Sequence, residues 1–329
     1  MDGTAEQDGR RRKRLALRRL VPAGILLALA LPYYVCDREH RDFSGLDRAA
    51  VGQAAELSDG VTWYELGGPE SGIPVVLVHG LTTPSFIWDG PFETLARSGF
   101  RVLRYDLFGR GYSDRPALDY DPALYDRQLL ELLAVAFADN PEQPVHLVGL
   151  SMGGAVVTRF AVDHPPRVRS VSLISPAGVP VELPFRARIA RAPLIGDYMM
   201  RALGDRLLAS GLDRNVATDR GREILQRRFF EQTEYYGYKR AILSSLRSMP
   251  LESMQDVFER LGASSTPCLL LWGTADLVIP FELHRHVLAA MPEARFHALE
   301  GVGHVAPLDA PELTAELLLQ FLRQPGRAR

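Results

Sequence analysis

Residues 149–153 (Gly-Leu-Ser-Met-Gly) form a G-x-S-x-G motif, which constrains the fold of this chain more than any other feature. An apolar run at 145–148 precedes the motif, and a helix-like segment at 154–164 follows it. This order predicts a strand, a sharp turn and a helix, with the serine hydroxyl exposed at the top of a sheet. Gly149 and Gly153 remove the side chains that would collide where strand and helix pass close together. Taken alone, the motif also fits a glycine-serine turn that has no catalytic role.

The composition is that of a folded globular protein. The chain has 329 residues, of which 47% are apolar and 24% charged, and its net charge is −2. A charge so close to zero gives no reason to expect a nucleic acid or another polyanion as partner. The two cysteines, Cys36 and Cys268, do not form a disulfide framework or a metal-ligand cluster. We therefore expect no metal and no cofactor.

The first 36 residues differ from the rest of the chain. Basic residues are concentrated at 10–14 and 18–19, and residues 20–36 carry no charge. This order predicts a membrane anchor with its basic end in the cytoplasm and the body of the protein outside. As a helix, the apolar run would be about 25 Å long, slightly short for a bilayer core of roughly 30 Å.

Two other interpretations of this N-terminus remain open. Residues 28–30 (Ala-Leu-Ala) resemble the cleavage site of a signal peptide, whose removal would give a secreted or periplasmic protein. The segment also fits an extension that lies on the membrane surface. Residues 37–60 are polar and are predicted to be a linker.

Strands and helices alternate along most of the chain, which predicts an α/β fold with a mainly parallel, doubly wound sheet. We assign residues 61–178 and 251–323 to this core and residues 324–329 to a polar tail. The predicted strands are 61–66, 74–79, 101–107, 145–148, 168–174, 267–272 and 294–299.

Residues 179–250 interrupt the alternation because they contain no convincing strand. An all-helical insertion between two strands is expected to form a cap over the strand ends, where ligands bind in open α/β sheets. Within the cap, an apolar stripe is predicted to be its buried face, with a membrane-binding surface as the alternative. The stripe consists of Leu194, Ile195, Tyr198, Met199 and Leu203.

A serine nucleophile needs a base that takes its proton and an acid that orients the base. Asp276 follows the buried strand at 267–272, and His304 follows the next strand, in a loop with glycines at 301 and 303. Both come after Ser151 in the order expected for this arrangement. The sequence therefore predicts Ser151, His304 and Asp276 as nucleophile, base and orienting acid.

His79 and Gly80 end the first long buried strand. The loop at this position donates one backbone N–H to the developing oxyanion, and the residue after the serine donates the other. We assign Leu81 and Met152 as these donors. His79 itself is interpreted as a structural residue that holds the loop.

Taken together, these motifs resemble the α/β-hydrolase superfamily from about Val61 to Leu322. They are Val78-His79-Gly80, the run from Tyr105 to Asp114 (YDLFGRGYSD), Gly149 to Gly154 (GLSMGG), Gly273-Thr274-Ala275-Asp276 and Gly303-His304. The serine in the turn argues against the haloalkane dehalogenases and epoxide hydrolases of the superfamily, which place Asp there. The N-terminal segment adds a resemblance to membrane-anchored monoacylglycerol lipase-like members.

The resemblance implies acyl transfer to Ser151, with His304 as general base and then acid. Our first hypothesis is a serine hydrolase of the carboxylesterase or lipase type that cleaves a small or lipid ester. The same residues also fit a carbon–carbon bond hydrolase of ring-cleavage products. A non-catalytic binding protein on this fold is the third possibility. The sequence leaves the acyl chain, the alcohol and the oligomeric state open.

Overall fold

The computed structural model of the chain describes residues 27–28, 30–35, 37–43, 48–182 and 185–324. Within these ranges, eight strands form one sheet in the order β1-β2-β4-β3-β5-β6-β7-β8. β2 is antiparallel to β1 and β4, and all other neighbours are parallel. The strands are β1 (Gln53–Leu57), β2 (Gly60–Gly67), β3 (Pro74–Val78), β4 (Arg101–Tyr105), β5 (Val145–Leu150), β6 (Val168–Ile174), β7 (Cys268–Gly273) and β8 (Arg295–Leu299).

The apolar runs become central strands because both faces of the sheet are covered. Every residue of β3, β5 and β7 is buried. Successive side chains of β3 point to opposite faces: Val76 and Val78 join one hydrophobic cluster, and Val75 and Leu77 join the other. A strand covered on both sides has no polar face, which explains the absence of alternation in its sequence.

Helices pack on both faces of the sheet and confirm the predicted α/β class. Helices α2, α3, α8 and α9 contribute to the first cluster, and α1 and α11 to the second. The helices are α1 (Asp89–Arg97), α2 (Pro122–Ala136), α3 (Met152–Asp163), α4 (Phe185–Ala190), α5 (Ile195–Leu212), α6 (Asp219–Thr233), α7 (Tyr238–Ser248), α8 (Gln255–Ala263), α9 (His284–Ala290), α10 (Ala306–Asp309) and α11 (Pro311–Arg323).

Helices α4 to α7 form the predicted all-helical cap, inserted between β6 and α8. Within the cap, residues 219–248 form two helices, α6 and α7, and not one continuous helix. Gly237 separates the two with φ 86°, a left-handed conformation that ends one helix and starts the next.

The assignment of residues 37–60 to a linker was wrong for part of that range. β1 lies within it, pairs antiparallel with β2 and forms the edge of the sheet. Of the five residues of β1, only Ala55 is buried. A short strand with one small buried residue has almost no hydrophobic pattern and resembles a linker in sequence.

The predicted membrane segment, residues 20–36, lies largely outside the described residues. Its described part, residues 27–28 and 30–35, is helical, and Leu27, Leu31 and Tyr34 are exposed there. Among the helices that the structure describes, none combines the length and apolar character that a membrane crossing requires. The basic residues at 10–19 and the C-terminal residues 325–329 also lie outside the described part.

The apolar stripe of the cap is not the buried face that the sequence predicted. Leu194 is 84% exposed and Ile195 57% exposed, and Leu203 is also exposed. Leu194 precedes the first turn of α5, and the residues that the helix buries are Gly196, Met200, Ala202, Gly204, Asp205 and Leu212. The buried face of α5 is therefore formed by positions other than the predicted stripe.

Candidate active site

The turn after β5 places Ser151 at a strained corner of the backbone. Ser151 has φ 54° and ψ −119°, and α3 begins at the next residue. Its N–H donates to the Ile174 carbonyl oxygen over 3.0 Å, and its carbonyl oxygen accepts from the Ala177 N–H over 3.0 Å. These bonds tie the corner to β6 and to the loop after it, so the surrounding structure maintains the strained conformation.

Two glycines allow the close approach that this corner requires. A Cβ on Gly149 would lie 2.4 Å from the Gly153 carbonyl oxygen. A Cβ on Gly153 would lie 2.3 Å from the carbonyl oxygen of Val78 and 2.5 Å from that of His79. Both contacts are with backbone, which cannot move aside cheaply. The predicted role of Gly149 and Gly153 therefore has a direct steric basis in the structure.

Asp276 and His304 form a buried pair beyond the ends of β7 and β8. The His304 Nδ1 lies 2.8 Å from the Asp276 Oδ2. The other carboxylate oxygen accepts the backbone N–H groups of Val278 at 2.8 Å and Ile279 at 2.9 Å. A carboxylate can only accept, so His304 carries its proton on Nδ1 and presents Nε2 as an acceptor.

The two assigned oxyanion donors lie on either side of Ser151. Met152 is the first residue of α3, and the first N–H groups of a helix have no partner within it. Leu81 follows Gly80, where an added Cβ would lie 3.4 Å from the Ser151 Cβ. The loop after β3 therefore approaches the serine closely. Leu81 and Met152 both line the cavity into which Ser151 opens.

This cavity has a volume of about 600 Å³ and lies between the sheet and the cap. Ser151 and His304 lie in its wall, with Asp276 behind His304. Its other lining residues are mostly apolar and come from both the core and the cap. Those from the cap include Val181, Ala187, Leu207, Leu208, Leu212 and Leu246. The predicted cap therefore covers the strand ends that carry the candidate nucleophile and base.

Few charges reach the cavity. Glu182 and Glu282 are acidic, and Arg214 is the one lysine or arginine among the described lining residues. The Arg214 guanidinium donates to the Leu277 carbonyl oxygen and lies at the protein surface. Glu182 and Glu282 are exposed as well, so the described lining offers a bound carboxylate no buried lysine or arginine. The described residues contain no group of three or more His, Cys, Asp and Glu side chains able to hold a metal.

A family model described as "Alpha/beta hydrolase family" matches residues 75–317. The chain belongs to the alpha/beta hydrolase family. The match extends from β3 to α11 and includes Ser151, Asp276 and His304, so the resemblance predicted from the motifs is confirmed at the level of the family.

Curated relatives of this hydrolase differ in their reactions. A 2-hydroxy-6-oxo-6-phenylhexa-2,4-dienoate hydrolase of Burkholderia cepacia is 27% identical, covering 76% of this chain and 88% of its own. A monoacylglycerol lipase of Xenopus laevis is 25% identical, covering 78% of this chain and 77% of its own. Among solved structures, an esterase of Thermogutta terrifontis superimposes with a TM-score of 0.69 at 24% identity, covering 84% of this chain and 100% of its own. The last similarity supports the fold alone.

His79 has a structural setting in this hydrolase. It is completely buried, with Nδ1 2.9 Å from the Gly80 carbonyl oxygen and Nε2 accepting the Leu107 N–H over 2.9 Å. Both ring nitrogens are therefore occupied, and the ring joins the loops after β3 and β4. Burial lowers the pKa of His79 to about 4, and burial likewise lowers the pKa of His146 in β5 to about 4.

These two histidines predict an acid-sensitive fold. Their pKa values lie below the ordinary value of 6.5, so the unfolded chain binds more protons below pH 6.5 and stability falls between pH 6.5 and 4. Each histidine should lower the free energy of unfolding by about 2 kcal/mol when the pH falls from 7.5 to 5. Urea unfolding at the two pH values measures this loss. His79→Gln should reduce the difference in the free energy of unfolding between the two pH values. His286→Gln, at an exposed site, should leave this difference unchanged. Equal pH dependence of stability in the two variants would contradict the prediction.

Three functional candidates were missed at the sequence level: Arg110, Tyr238 and Ser245. The sequence placed Arg110 in the run from Tyr105 to Asp114 and Tyr238 in the predicted cap. Both are fully buried, as is Ser245, and all three belong to one hydrogen-bond network next to the Leu81 loop. A completely buried arginine is rare. The glycine-rich sequence around Arg110 gives no indication that its side chain is buried.

Proposed function

We propose that this protein is a serine hydrolase of carboxylic esters with an apolar acyl group, and that Ser151 is its nucleophile. One observation carries the proposal: His304, hydrogen-bonded to the buried Asp276, and the strained Ser151 both lie in the wall of one large, mainly apolar cavity. The strained corner, the buried polar pair and the cavity each cost stability, and together they fit nucleophilic catalysis.

In the proposed reaction, the Ser151 Oγ attacks the ester carbonyl carbon while His304 Nε2 takes its proton. Asp276 stabilises the resulting imidazolium, and the N–H groups of Leu81 and Met152 bind the oxyanion. The carbon–oxygen bond then breaks, and His304 returns the proton to the leaving alcohol. A water molecule deprotonated by His304 attacks the acyl-enzyme, which releases the acid and restores Ser151.

The cavity favours an apolar acyl group over an anionic substrate. A cavity of about 600 Å³ is large enough for a medium or long acyl chain, and most of its lining is apolar. One of the relatives is named a monoacylglycerol lipase. Ring-cleavage products are the alternative substrates that the dienoate hydrolase suggests. They carry carboxylates, for which the described lining supplies no buried lysine or arginine.

We also propose that the protein meets its substrate at a membrane. The sequence supports this with the basic residues at 10–19 followed by the uncharged residues 20–36. The exposed side chains of Leu194, Ile195 and Leu203 would provide the cap with an apolar outer surface close to lipid. Sedimentation with membranes after an alkaline carbonate wash tests the anchor. Release into the supernatant would contradict it, and cleavage of the N-terminus would leave the soluble alternative.

The proposal is tested with p-nitrophenyl esters of increasing chain length and the full chain in detergent. We expect turnover with a maximum at a medium or long acyl chain. Leu208→Trp, which fills part of the cavity, should shift this maximum to shorter chains and lower kcat/KM for the longest ester about tenfold or more. Leu203→Trp on the same helix should not, because residue 203 is exposed and outside the lining.

Two outcomes would contradict the proposal. Cleavage of a dienoate ring-cleavage product without ester turnover would assign the same residues to carbon–carbon hydrolysis. A folded wild type that neither hydrolyses any substrate nor reacts with a fluorophosphonate would favour the binding-protein hypothesis.

A further inference from the structure

Side chains from outside the loop hold two consecutive carbonyl groups of the Leu81 loop. The Arg110 Nε donates to the Leu81 carbonyl oxygen over 2.9 Å. The Tyr238 hydroxyl donates to the Thr82 carbonyl oxygen over 2.7 Å. Tyr238 is the first residue of α7, so one of these two bonds comes directly from the cap.

Arg110, which donates to the Leu81 carbonyl oxygen, is itself connected to α7. The Arg110 Nη2 donates to the Ser245 Oγ over 2.8 Å, and Nη1 donates to the Tyr125 hydroxyl over 2.6 Å. Tyr125 and Ser245 are themselves 3.0 Å apart and hydrogen-bonded. Ser245 is in the last turns of α7, whereas Tyr238 begins it. The helix therefore reaches the same loop from both of its ends.

This network is expected to be rigid because its central charge is completely buried. Arg110 has no exposed surface, and its described partners are the oxygens of Leu81, Phe108, Tyr125 and Ser245. A buried guanidinium that lost one of these acceptors would have an unsatisfied donor far from water. Any displacement of the loop from α7 is therefore costly.

The N-terminus of α7 is fixed as well. The Glu39 carboxylate accepts the N–H groups of Gly237 over 3.1 Å and Lys239 over 3.0 Å. The Lys239 Nζ lies 2.6 Å from Asp37 and 3.2 Å from Asp205. These contacts hold the two sequence neighbours of Tyr238, residues 237 and 239. The Tyr238 side chain therefore extends from a fixed part of the backbone and not from a mobile lid.

We infer that Tyr238 and Arg110 are positioning residues for the oxyanion donor at Leu81, and that α7 supports the oxyanion hole through Tyr238 and Ser245. An oxyanion donor must lie about 2.7–3.1 Å from the position that the developing charge occupies. The Leu81 N–H shares its peptide plane with the Gly80 carbonyl group, whose oxygen lies 2.9 Å from the His79 Nδ1. The bonds to the carbonyl groups of residues 81 and 82 hold the two peptide planes that follow, so the backbone is restrained on both sides of Leu81. The inference rests on the proposed function, in which Leu81 binds the oxyanion.

Tyr238→Phe tests the inference, because it removes one hydroxyl and keeps the ring. We expect kcat for the preferred p-nitrophenyl ester to fall about 10- to 100-fold with KM within twofold of wild type. Inhibition by a trifluoromethyl ketone, which forms an oxyanion on Ser151, should weaken by the same factor. Ser245→Ala should have the same effect to a smaller degree. Tyr236→Phe is the matched control at an exposed position and should change neither value.

A purely structural role would give a different result. Fluorophosphonate titration counts the reactive sites, so kcat is expressed per reactive site and a misfolded fraction does not contribute. If Tyr238→Phe retains kcat and ketone affinity within twofold while its Tm falls, the inference is wrong. If wild type hydrolyses no ester and is not labelled, the proposed function fails and the inference fails with it.

Discussion

Replacing Ser151 with alanine will abolish ester hydrolysis, with kcat falling on the order of 10⁵-fold. The change removes the oxygen that forms the acyl-enzyme in the proposed mechanism, and the proposed oxyanion donors and His304 retain only the small rate enhancement available without it. The measurement is turnover of the preferred p-nitrophenyl ester together with fluorophosphonate labelling, which should disappear completely. A variant that retains more than about one hundredth of the wild-type rate would exclude Ser151 as the nucleophile.

Ser175→Ala is the matched control for this variant. Ser175 directly follows the neighbouring strand β6, is fully buried and also has a positive φ, 41°. Its hydroxyl has no hydrogen-bond partner in the described structure, so its removal should leave activity unchanged and should not lower the Tm. Loss of activity in both variants would indicate that strain in this region, and not the Ser151 hydroxyl, is the sensitive property.

The parts of the site that follow strand ends could be predicted from the sequence. Parallel strands align their carboxyl ends, so motifs that are far apart in the chain meet at one edge of the sheet. Residues 74–79 were predicted as a strand and the structure has β3 at Pro74–Val78. With the order of the strands known, the positions of Ser151, Asp276 and His304 relative to the sheet follow from their places in the chain.

The parts that depend on tertiary packing could not be predicted. β1 has one buried residue and no recognisable hydrophobic pattern. Its pairing with β2 is what makes this segment a strand. The stripe at Leu194 and Ile195 has the spacing of a buried face, but other residues of α5, among them Met200 and Leu212, form that face. A hydrophobic period shows that a face is apolar; it does not show what covers that face.

Arg110 illustrates a third kind of limit. Its bond to Ser245 connects residues 135 positions apart, and the partner comes from the cap, whose placement no local pattern determines. The sequence did predict the Leu81 loop and the cap separately. Their attachment through Arg110 and Tyr238 is a property of the folded chain, and it makes the cap part of the catalytic machinery that we propose.

Replacing Asp276 with asparagine will lower kcat roughly 10³- to 10⁴-fold without unfolding the protein. One carboxylate oxygen accepts the N–H groups of Val278 and Ile279, so the asparagine oxygen must take that place. The amide NH₂ then faces His304 Nδ1, which has to become an acceptor. His304 would carry its proton on Nε2, the nitrogen that must accept the proton of Ser151. The loss therefore results from the wrong tautomer as well as from the missing charge.

Asp126→Asn provides the comparison, because Asp126 forms a second Asp–His pair, 3.0 Å from the His164 Nε2 and outside the cavity. We expect kcat within twofold of wild type for Asp126→Asn and a loss of at least 10³-fold for Asp276→Asn, with similar Tm values for the two variants. NMR of the His304 ring nitrogens should show the proton on Nδ1 in wild type and on Nε2 in Asp276→Asn. If the tautomer changes while kcat does not, His304 is not the base; if kcat falls with Nδ1 still protonated, the lost negative charge alone accounts for the effect.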